Sequence, residues 1–182
     1  MKIETTEFEG LIIITPNIYA DSRGYFLESF NQEVLRSSGI EFIPVQDNES
    51  KSAFGVIRGL HYQLRPYDQA KLIRVVEGKI YDVALDLRKN SPTFGKWFGI
   101  ELDSESKNQV LIPRGFAHGF SVLSKNAVIQ YKCDSTYNKQ NERGILLNDP
   151  ALKIDWKIDI QSAIVSEKDL NNPVFEKAEH NF

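Results

Sequence analysis

Short runs of β-branched and aromatic residues, each bounded by isolated turn residues, dominate this sequence and constrain its fold more than any other feature. Leu11–Thr15, Lys71–Val76, Trp97–Leu102 and Ala127–Cys133 are examples of these runs. Many short strands separated by turn signals are typical of an all-β sandwich or barrel. The pattern therefore predicts one antiparallel β domain over residues 1–182, with about ten strands, two short helices and a lumen or groove.

Local patterns predict how several elements begin, end and pack. Ser29 and Gln32 fit a capping box that would start a helix, and Gly39 fits its C-terminal end. Glu77-Gly78 is expected to turn a hairpin into the strand Lys79–Leu87, where an apolar face alternates with a mixed face, as in a half-buried strand. The C-terminal part is predicted to contain a weak strand, an apolar anchor and a short helix: Ile145–Leu147, Trp156 and Ser166–Leu170, respectively.

Length and composition exclude several functional classes. The 182 residues fit one domain, and a net charge of −3 leaves no basic excess for a nucleic-acid backbone. The single cysteine, Cys133, cannot form an internal disulfide. No apolar run near the N-terminus approaches the ~20 residues of a membrane helix, and no signal-peptide pattern precedes the strands, so we expect a cytoplasmic protein without a membrane partner.

Two of the three histidines lie in strand-like segments. In a regular strand His61 would share a face with Gly59 and Gln63, while Arg58 would point the other way. From the residues alone, His61 is either a functional histidine or a hydrogen-bonded core histidine. The third, His180, lies near the C-terminus and is expected to be solvated.

His118 ends a Pro-x-Gly-x-x-His motif, Pro113–His118, which resembles the second motif of the cupins, a jelly-roll superfamily in which this histidine usually binds a metal. The first cupin motif contains a His-x-His pair, but Gln63 takes the place of the second histidine here. Two imidazoles and an amide are a poor ligand set for a transition metal. We therefore predict a cupin pocket without a metal, although a metal-dependent cupin enzyme is an alternative.

A closer resemblance extends from about Gly10 to Pro173. The segments that carry it, in order and spacing, are Asp21–Phe30, Val45–Ser50, Gly55–Gln63, Lys71–Gly78, Asp86–Gly95, Ile112–Phe120 and Ser166–Asp169. Together they resemble the dTDP-4-dehydrorhamnose 3,5-epimerase family.

This resemblance implies a cupin-type double-stranded β-helix, or jelly roll, that works as a homodimer without a cofactor. It implies an isomerase that inverts C3 and C5 of dTDP-4-dehydro-6-deoxy-D-glucose to give dTDP-4-dehydro-L-rhamnose, which supplies cell-surface polysaccharides such as O-antigen. An N-terminal arm, residues 1–30, is expected to cross to the partner's active site. Alternatives are a single-site epimerase on a related dTDP-4-keto sugar and a non-catalytic sugar-nucleotide binding module.

Four residues match the family's catalytic positions. His61 would be the base, with Asp169 orienting its imidazole, since histidine suits proton transfer near neutral pH. Tyr131 would deliver a proton on the far side, and Lys71 would stabilise negative charge on the C4 oxygen. The residues alone also allow Asp169 as a helix-start acid, Tyr131 as a core tyrosine and Lys71 as a solvated strand-end lysine.

The resemblance also implies a set of substrate-binding residues. Tyr137 would stack on the thymine base, and Arg23 would bind the diphosphate through its forked guanidinium. The matched positions are Arg23, Glu28, Gln46, Asp47, Asn48, Arg58, Lys71, His118, Tyr137, Glu142 and Lys168. Without the resemblance, Arg23 is also consistent with a simple turn residue and Arg58 with a surface ion pair.

Overall fold

The computed structural model describes all 182 residues and contains thirteen strands. They are β1 (Lys2–Thr5), β2 (Ile12–Thr15), β3 (Ile18–Asp21), β4 (Gly24–Leu27), β5 (Gln46–Ala53), β6 (Ile57–Gln63), β7 (Lys71–Glu77), β8 (Lys79–Asp86), β9 (Trp97–Asp103), β10 (Gln109–Ile112), β11 (Phe116–Val122), β12 (Asn126–Cys133) and β13 (Glu142–Gly144). The helices are α1 (Gln32–Ser37) and α2 (Glu167–Leu170), with 3₁₀ turns at Ile160–Ser162 and Phe175–Lys177. None of them has the length and apolarity that crossing a bilayer requires.

Two antiparallel sheets face each other across the lumen. The six-stranded sheet has the order β1-β2-β10-β7-β12-β5, and the five-stranded sheet has the order β13-β6-β11-β8-β9. A separate two-stranded hairpin consists of β3 and β4. From β5 to β13 the chain crosses between the two sheets at every step except β8 to β9, which are neighbours in the five-stranded sheet. These crossings build the jelly roll, and the all-β prediction is confirmed.

The predicted hairpin at Glu77-Gly78 is wrong. β7 belongs to the six-stranded sheet and β8 to the five-stranded sheet, so Gly78 forms a corner between the sheets. Gly78 has a φ of +81°, and a β-carbon there would collide with the backbone carbonyl of Asn126. Glycine is needed here because the corner combines a left-handed backbone with a close approach of another strand.

Strand β8 is buried on both faces, so the half-buried prediction is also wrong. Ile80 and Ala84 pack into the apolar core between the sheets. Tyr81, Val83 and Leu85 pack on the other side against the C-terminal segment. That segment is anchored as predicted by Trp156, which is 1% exposed. A long-range cover of this kind cannot be recognised from the alternation within one strand.

Helix α1 begins two residues later than the capping box predicted. Its N-cap is Asn31, whose side-chain oxygen accepts hydrogen bonds from the backbone N–H groups of Glu33 and Val34. Its end is as expected: Gly39 has a φ of +79° and its N–H donates to the carbonyl of Arg36. A left-handed residue after the last turn is the usual way to satisfy these carbonyls.

The predictions for the C-terminal part are partly confirmed. Helix α2 forms at the expected place and is capped by Ser166, whose hydroxyl accepts from the N–H of Asp169. The weak strand expected at Ile145–Leu147 lies instead at β13, just before it. His180 is not fully solvated, because its ring stacks on Phe175 at 6.1 Å.

The N-terminal residues divide into an integral part and a projecting part. β1 pairs with β2 inside the six-stranded sheet, and Phe8, Leu11 and Ile14 are buried. Among these N-terminal residues, the large exposed apolar groups lie in the β3–β4 hairpin, where Tyr19 is 64% and Phe26 is 69% exposed. Within residues 1–30 the exposed apolar side chains are therefore concentrated in the β3–β4 hairpin.

Candidate active site

Residues from both sheets converge on one cleft between the two walls of the jelly roll. His61 on β6 and His118 on β11 come from the five-stranded sheet, whereas Lys71 on β7 and Tyr131 on β12 come from the six-stranded sheet. These four residues line a cavity of about 480 Å³, which we call the dyad lobe. The two sheets thus present different chemical groups to the same enclosed volume.

A second cavity of about 320 Å³ adjoins the dyad lobe and shares His61, Lys71 and Tyr131 with it. We call it the loop lobe, because Tyr137 and Glu142, from the segment after β12, complete its wall. A larger groove of about 670 Å³ lies beside the segment that follows α1, but none of the predicted site residues lines it. The chemistry is therefore concentrated in the two-lobed cleft.

His61 and Asp169 form a hydrogen-bonded dyad. His61 Nε2 lies 2.6 Å from Asp169 Oδ1, and Asp169 Oδ2 accepts from the backbone N–H of Gly59 at 3.3 Å. Asp169 is only 3% exposed because the first turn of α2 holds it against β6. Burial raises the pKa of Asp169, but the hydrogen bond and charge of His61, with hydrogen bonds from Gly59 and Ser166, together hold that pKa below its usual value. The carboxylate therefore remains charged beside the imidazole.

A second dyad lies next to the first. His118 Nε2 is 2.8 Å from Asp82 Oδ2, and the two residues are 9% and 1% exposed. Asp82 was not among the predicted site residues. Its position on the mixed face of β8 is the only sequence signal for it, since a buried acid in a core strand needs a partner.

Arg58 lines the same lobe as His61, against the expectation for a regular strand. Between β6 and β11 the Cα partners are His61–His118 and Arg58–Phe120, so β6 contains one residue more than β11 over this stretch. Such a β-bulge reverses the alternation of side chains beyond it. The bulge therefore brings Arg58 into the cleft, where its Nε donates to Ser52 Oγ at 3.0 Å.

Lys71 and Tyr131 lie in partly buried positions that change their proton affinities. Burial lowers the pKa of Lys71, although the thiol of Cys133 and the acids Asp82 and Glu142 partly oppose this. Burial raises the pKa of Tyr131 above that of a free phenol. Tyr131 thus keeps its proton at neutral pH and is available as a donor, whereas the Lys71 ammonium loses its proton more readily than that of an exposed lysine.

Strand β5 presents a polar stripe to the cleft at every second residue. Gln46 and Asn48 line the loop lobe, and Ser50 lines the dyad lobe with a buried hydroxyl that has no hydrogen-bond partner. Asp47 points the opposite way and pairs with Lys132. The structure therefore does not bring Asp47 to the cleft, because alternate residues of a strand face opposite sides.

Tyr137, Glu142 and Lys168 form a linked group at the mouth of the loop lobe. Tyr137 Oη donates to Glu142 Oε2 at 2.9 Å, and Lys168 Nζ lies 2.6 Å from the same oxygen. Burial raises the pKa of Glu142, but the hydrogen bonds from Lys168 and Tyr137 and the nearby positive charge together outweigh burial and lower that pKa overall. Tyr137 is 53% exposed, so its ring is free to contact a ligand.

Two predicted residues lie away from the cleft of their own chain. Arg23 is in the turn of the β3–β4 hairpin, where it pairs with Asp21 at 2.6 Å. Glu28 follows that hairpin and accepts a hydrogen bond from Asn31. Within one chain the structure therefore does not join either residue to the dyad lobe or the loop lobe.

The chain contains no group of three or more histidine, cysteine or acidic side chains placed to hold a metal ion. Gln63, at the position of the second cupin histidine, is 4% exposed and hydrogen-bonded to backbone atoms. Both ends of the Gln63 amide are therefore already hydrogen-bonded to backbone groups of the chain.

Comparison with known proteins agrees with this geometry. The model of a family described as dTDP-4-dehydrorhamnose 3,5-epimerase matches residues 5–177. An enzyme of that name from Shigella flexneri is 49% identical over 183 residues, which cover 99% of each chain. The crystal structure of another, from Elizabethkingia anophelis, has a TM-score of 0.92 at 50% identity and covers 97% of both chains.

A third relative carries a ligand. The dTDP-6-deoxy-D-glucose-3,5-epimerase from Legionella pneumophila, solved in complex with dTDP-4-keto-L-rhamnose, has a TM-score of 0.92 at 45% identity. The match covers 97% of this chain and 93% of that one. With fold, cleft and sequence in agreement over nearly its full length, this chain belongs to the dTDP-4-dehydrorhamnose 3,5-epimerase family.

Proposed function

We propose that this chain is an isomerase that converts dTDP-4-dehydro-6-deoxy-D-glucose into dTDP-4-dehydro-L-rhamnose by inverting C3 and C5. The observation that carries the proposal is the placement of a histidine–carboxylate dyad and a protonated tyrosine on opposite walls of one cleft. Inversion at a carbon requires a base on one face and a proton donor on the other. The two sheets of the jelly roll supply these groups separately.

The proposed reaction uses the C4 ketone of the substrate. Both inverted carbons adjoin that ketone, so removing either proton gives an enolate whose negative charge lies largely on the C4 oxygen. His61 takes the proton at Nδ1, because Nε2 is already bonded to Asp169. The Asp169 carboxylate then stabilises the imidazolium, as in other histidine–carboxylate pairs.

Two residues of the opposite wall complete each inversion. The Lys71 ammonium stabilises the charge on the C4 oxygen, and Tyr131 gives its phenolic proton to the opposite face of the carbon. The C–H bond broken toward His61 is thus replaced by one formed from Tyr131. Proton exchange with water then returns both side chains to their starting states.

The nucleotide is proposed to occupy the loop lobe and to lead the sugar into the dyad lobe. The exposed ring of Tyr137 offers a stacking face for thymine, while Gln46 and Asn48 offer amide groups nearby. Arg58 and His118 provide donors deeper in the cleft, where the sugar and its phosphate meet. Glu142 and Lys168 border the entrance.

Proton NMR of the substrate in deuterium oxide tests this function. The wild-type protein is expected to introduce deuterium at both C3 and C5 and to form the L-rhamno product. Label at one carbon would reassign the chain to a single-site epimerase. If no label appears although dTDP binds, the chain is a binding module and the catalytic proposal is wrong.

Replacing Tyr131 with phenylalanine separates proton removal from inversion. The base dyad is intact in this variant, so exchange at the substrate carbons should continue, but the opposite face has lost its donor. We expect net inversion to fall about 10²-fold or more, within the range for general acids, while exchange with retained configuration falls much less. NMR in deuterium oxide reports both processes, and an equal loss of both would contradict the assigned role.

We also propose that the chain is a homodimer in which the β3–β4 hairpin reaches the partner's cleft with Arg23 and Glu28. Tyr19 and Phe26 are direct cross-strand partners, so their exposed rings form one apolar face of the hairpin. Exposed apolar patches of this kind mark contact surfaces. If the hairpin packs against a second copy of the chain, Arg23 in its turn serves the cleft of that copy, which accounts for its distance from the cleft of its own chain.

The double variant Tyr19→Ser/Phe26→Ser tests this arrangement. Loss of two aromatic contacts is expected to weaken dimerisation at least about tenfold, measured by sedimentation, and to raise KM because Arg23 is no longer delivered. The matched control is Ala20→Ser, on the other face of the same hairpin. A variant that dimerises like wild type with an unchanged KM would refute the proposed role of the hairpin.

A further inference from the structure

The segment of residues 134–141 joins β12 to β13 and is called here the Tyr137 loop. It carries the residue proposed to stack on the thymine base. Tyr137 has only two polar contacts of its own, one from its N–H to Gln46 and one from its hydroxyl to Glu142. Its ring is more than half exposed, so packing does little to hold it. The backbone on either side of Tyr137 must therefore fix the ring's position.

Gln63 binds that backbone on both sides of Tyr137. Its Oε1 accepts from the N–H of Asn138 at 2.6 Å, and its Nε2 donates to the carbonyl of Thr136 at 3.3 Å. The same Nε2 donates to the carbonyl of Tyr67 at 2.6 Å, which anchors the amide to the connection between β6 and β7. Gln63 thus brackets Tyr137 between two hydrogen bonds.

Gln63 is buried at the end of strand β6, close to the proposed base His61. It is the last residue of β6, two positions after the proposed base His61, and it is 4% exposed. A buried amide with both ends bonded has little freedom to move. Gln63 therefore links strand β6, which carries His61, directly to the loop that carries Tyr137, the residue proposed to stack on thymine.

We propose that Gln63 is a positioning residue that preforms the nucleotide subsite by holding the Tyr137 loop. This inference rests on the proposed function, since it takes the ligand of the loop lobe to be a thymidine nucleotide. A loop that is already in place loses little conformational entropy when the ligand binds. Without Gln63 that entropy must be lost on binding, so affinity falls, whereas the groups that transfer protons stay in place.

The variant Gln63→Leu keeps the size of the side chain but removes all three bonds. We expect the Kd for dTDP, measured by calorimetry, and the KM for the sugar nucleotide each to rise about tenfold, since a lost set of buried hydrogen bonds has effects of this order. The value of kcat should stay within about twofold, because removing binding shared by ground and transition states raises KM alone. A purely structural role would not produce this division between KM and kcat.

Gln69→Leu provides a second test of the same loop if the Gln63 variant fails to fold. Gln69 Nε2 donates one bond, of 2.7 Å, to the carbonyl of Ser135 in the same loop. Its loss should weaken dTDP binding in the same direction but less, about threefold, as expected for a single neutral hydrogen bond. The matched control is Gln130→Leu, whose amide pairs with Glu49 on an exposed surface and should leave dTDP binding unchanged.

Two results would overturn the inference. If folded Gln63→Leu and Gln69→Leu both bind dTDP as tightly as wild type, the loop does not depend on these amides. If kcat falls while the Kd for dTDP is unchanged, Gln63 acts on His61 rather than on the loop. Because dTDP affinity is measured without turnover, failure of the epimerase proposal remains distinguishable: wild-type protein would then bind dTDP without exchanging substrate protons.

Discussion

Replacing His61 with asparagine is expected to lower kcat for epimerisation about 10³-fold, the central range for loss of a general base. Asparagine fills a similar volume and can hydrogen-bond to Asp169, but it cannot accept a carbon-bound proton. Deuterium should then fail to enter the substrate at either C3 or C5. The Kd for dTDP should stay near the wild-type value, since the proposed nucleotide contacts lie in the loop lobe.

His180→Asn is the matched control for this variant. His180 packs on Phe175 outside the cleft, so its replacement should leave kcat unchanged. Asp169→Asn should also be slow, and the double variant with His61→Asn should be no slower than His61→Asn alone, because members of one catalytic unit are not additive. Loss of dTDP binding together with activity in His61→Asn would show instead that His61 has a structural role.

Replacing Lys71 with methionine is expected to lower kcat about 10²- to 10³-fold, as found when one preorganised donor to a developing oxyanion is removed. Methionine retains the length and the apolar stem but carries no charge. Because the C4 oxygen becomes negative only along the reaction path, KM should change much less than kcat. A KM that rises while kcat is retained would show that Lys71 binds the ground state instead.

The pH dependence of kcat/KM tests the charge of Lys71 separately. Lys71 stabilises an enolate only while it is protonated, and burial lowers its pKa below the ordinary 10.5, so activity should fall on the alkaline side sooner than for an exposed lysine. The pKa of Tyr131 is raised above 10.0, so this residue does not cause that fall. In Lys71→Arg the remaining activity should persist to higher pH, and identical alkaline limbs in both proteins would contradict the assignment.

The two histidine–aspartate dyads of the cleft differ in how far they are exposed. His61–Asp169 joins β6 to α2, while His118–Asp82 joins β11 to β8. The first dyad crosses from the sheet to a helix near the C-terminus and is partly exposed, whereas the second lies within the five-stranded sheet and is almost fully buried. This difference in exposure agrees with His61, rather than His118, as the residue that exchanges protons with substrate.

The sequence by itself determined the fold class and most of the cleft. Alternating β-branched runs predicted an all-β domain, because strand periodicity is a local property of the chain. The ordered motifs predicted the family, and most of the predicted site residues line the two-lobed cleft. Helix ends were also partly readable, since Gly39 and Ser166 act on the backbone within a few residues of themselves.

The tertiary structure alone decided which sheet each strand joins and what covers it. The corner at Gly78, the second buried face of β8 and the bulge that brings Arg58 beside His61 all depend on strands far apart in the sequence. Asp82 and Gln63 acquire their partners in the same way. The physical reason is that local alternation specifies only which face of a strand is apolar, whereas pairing, bulges and coverage are set by the packing of the whole chain.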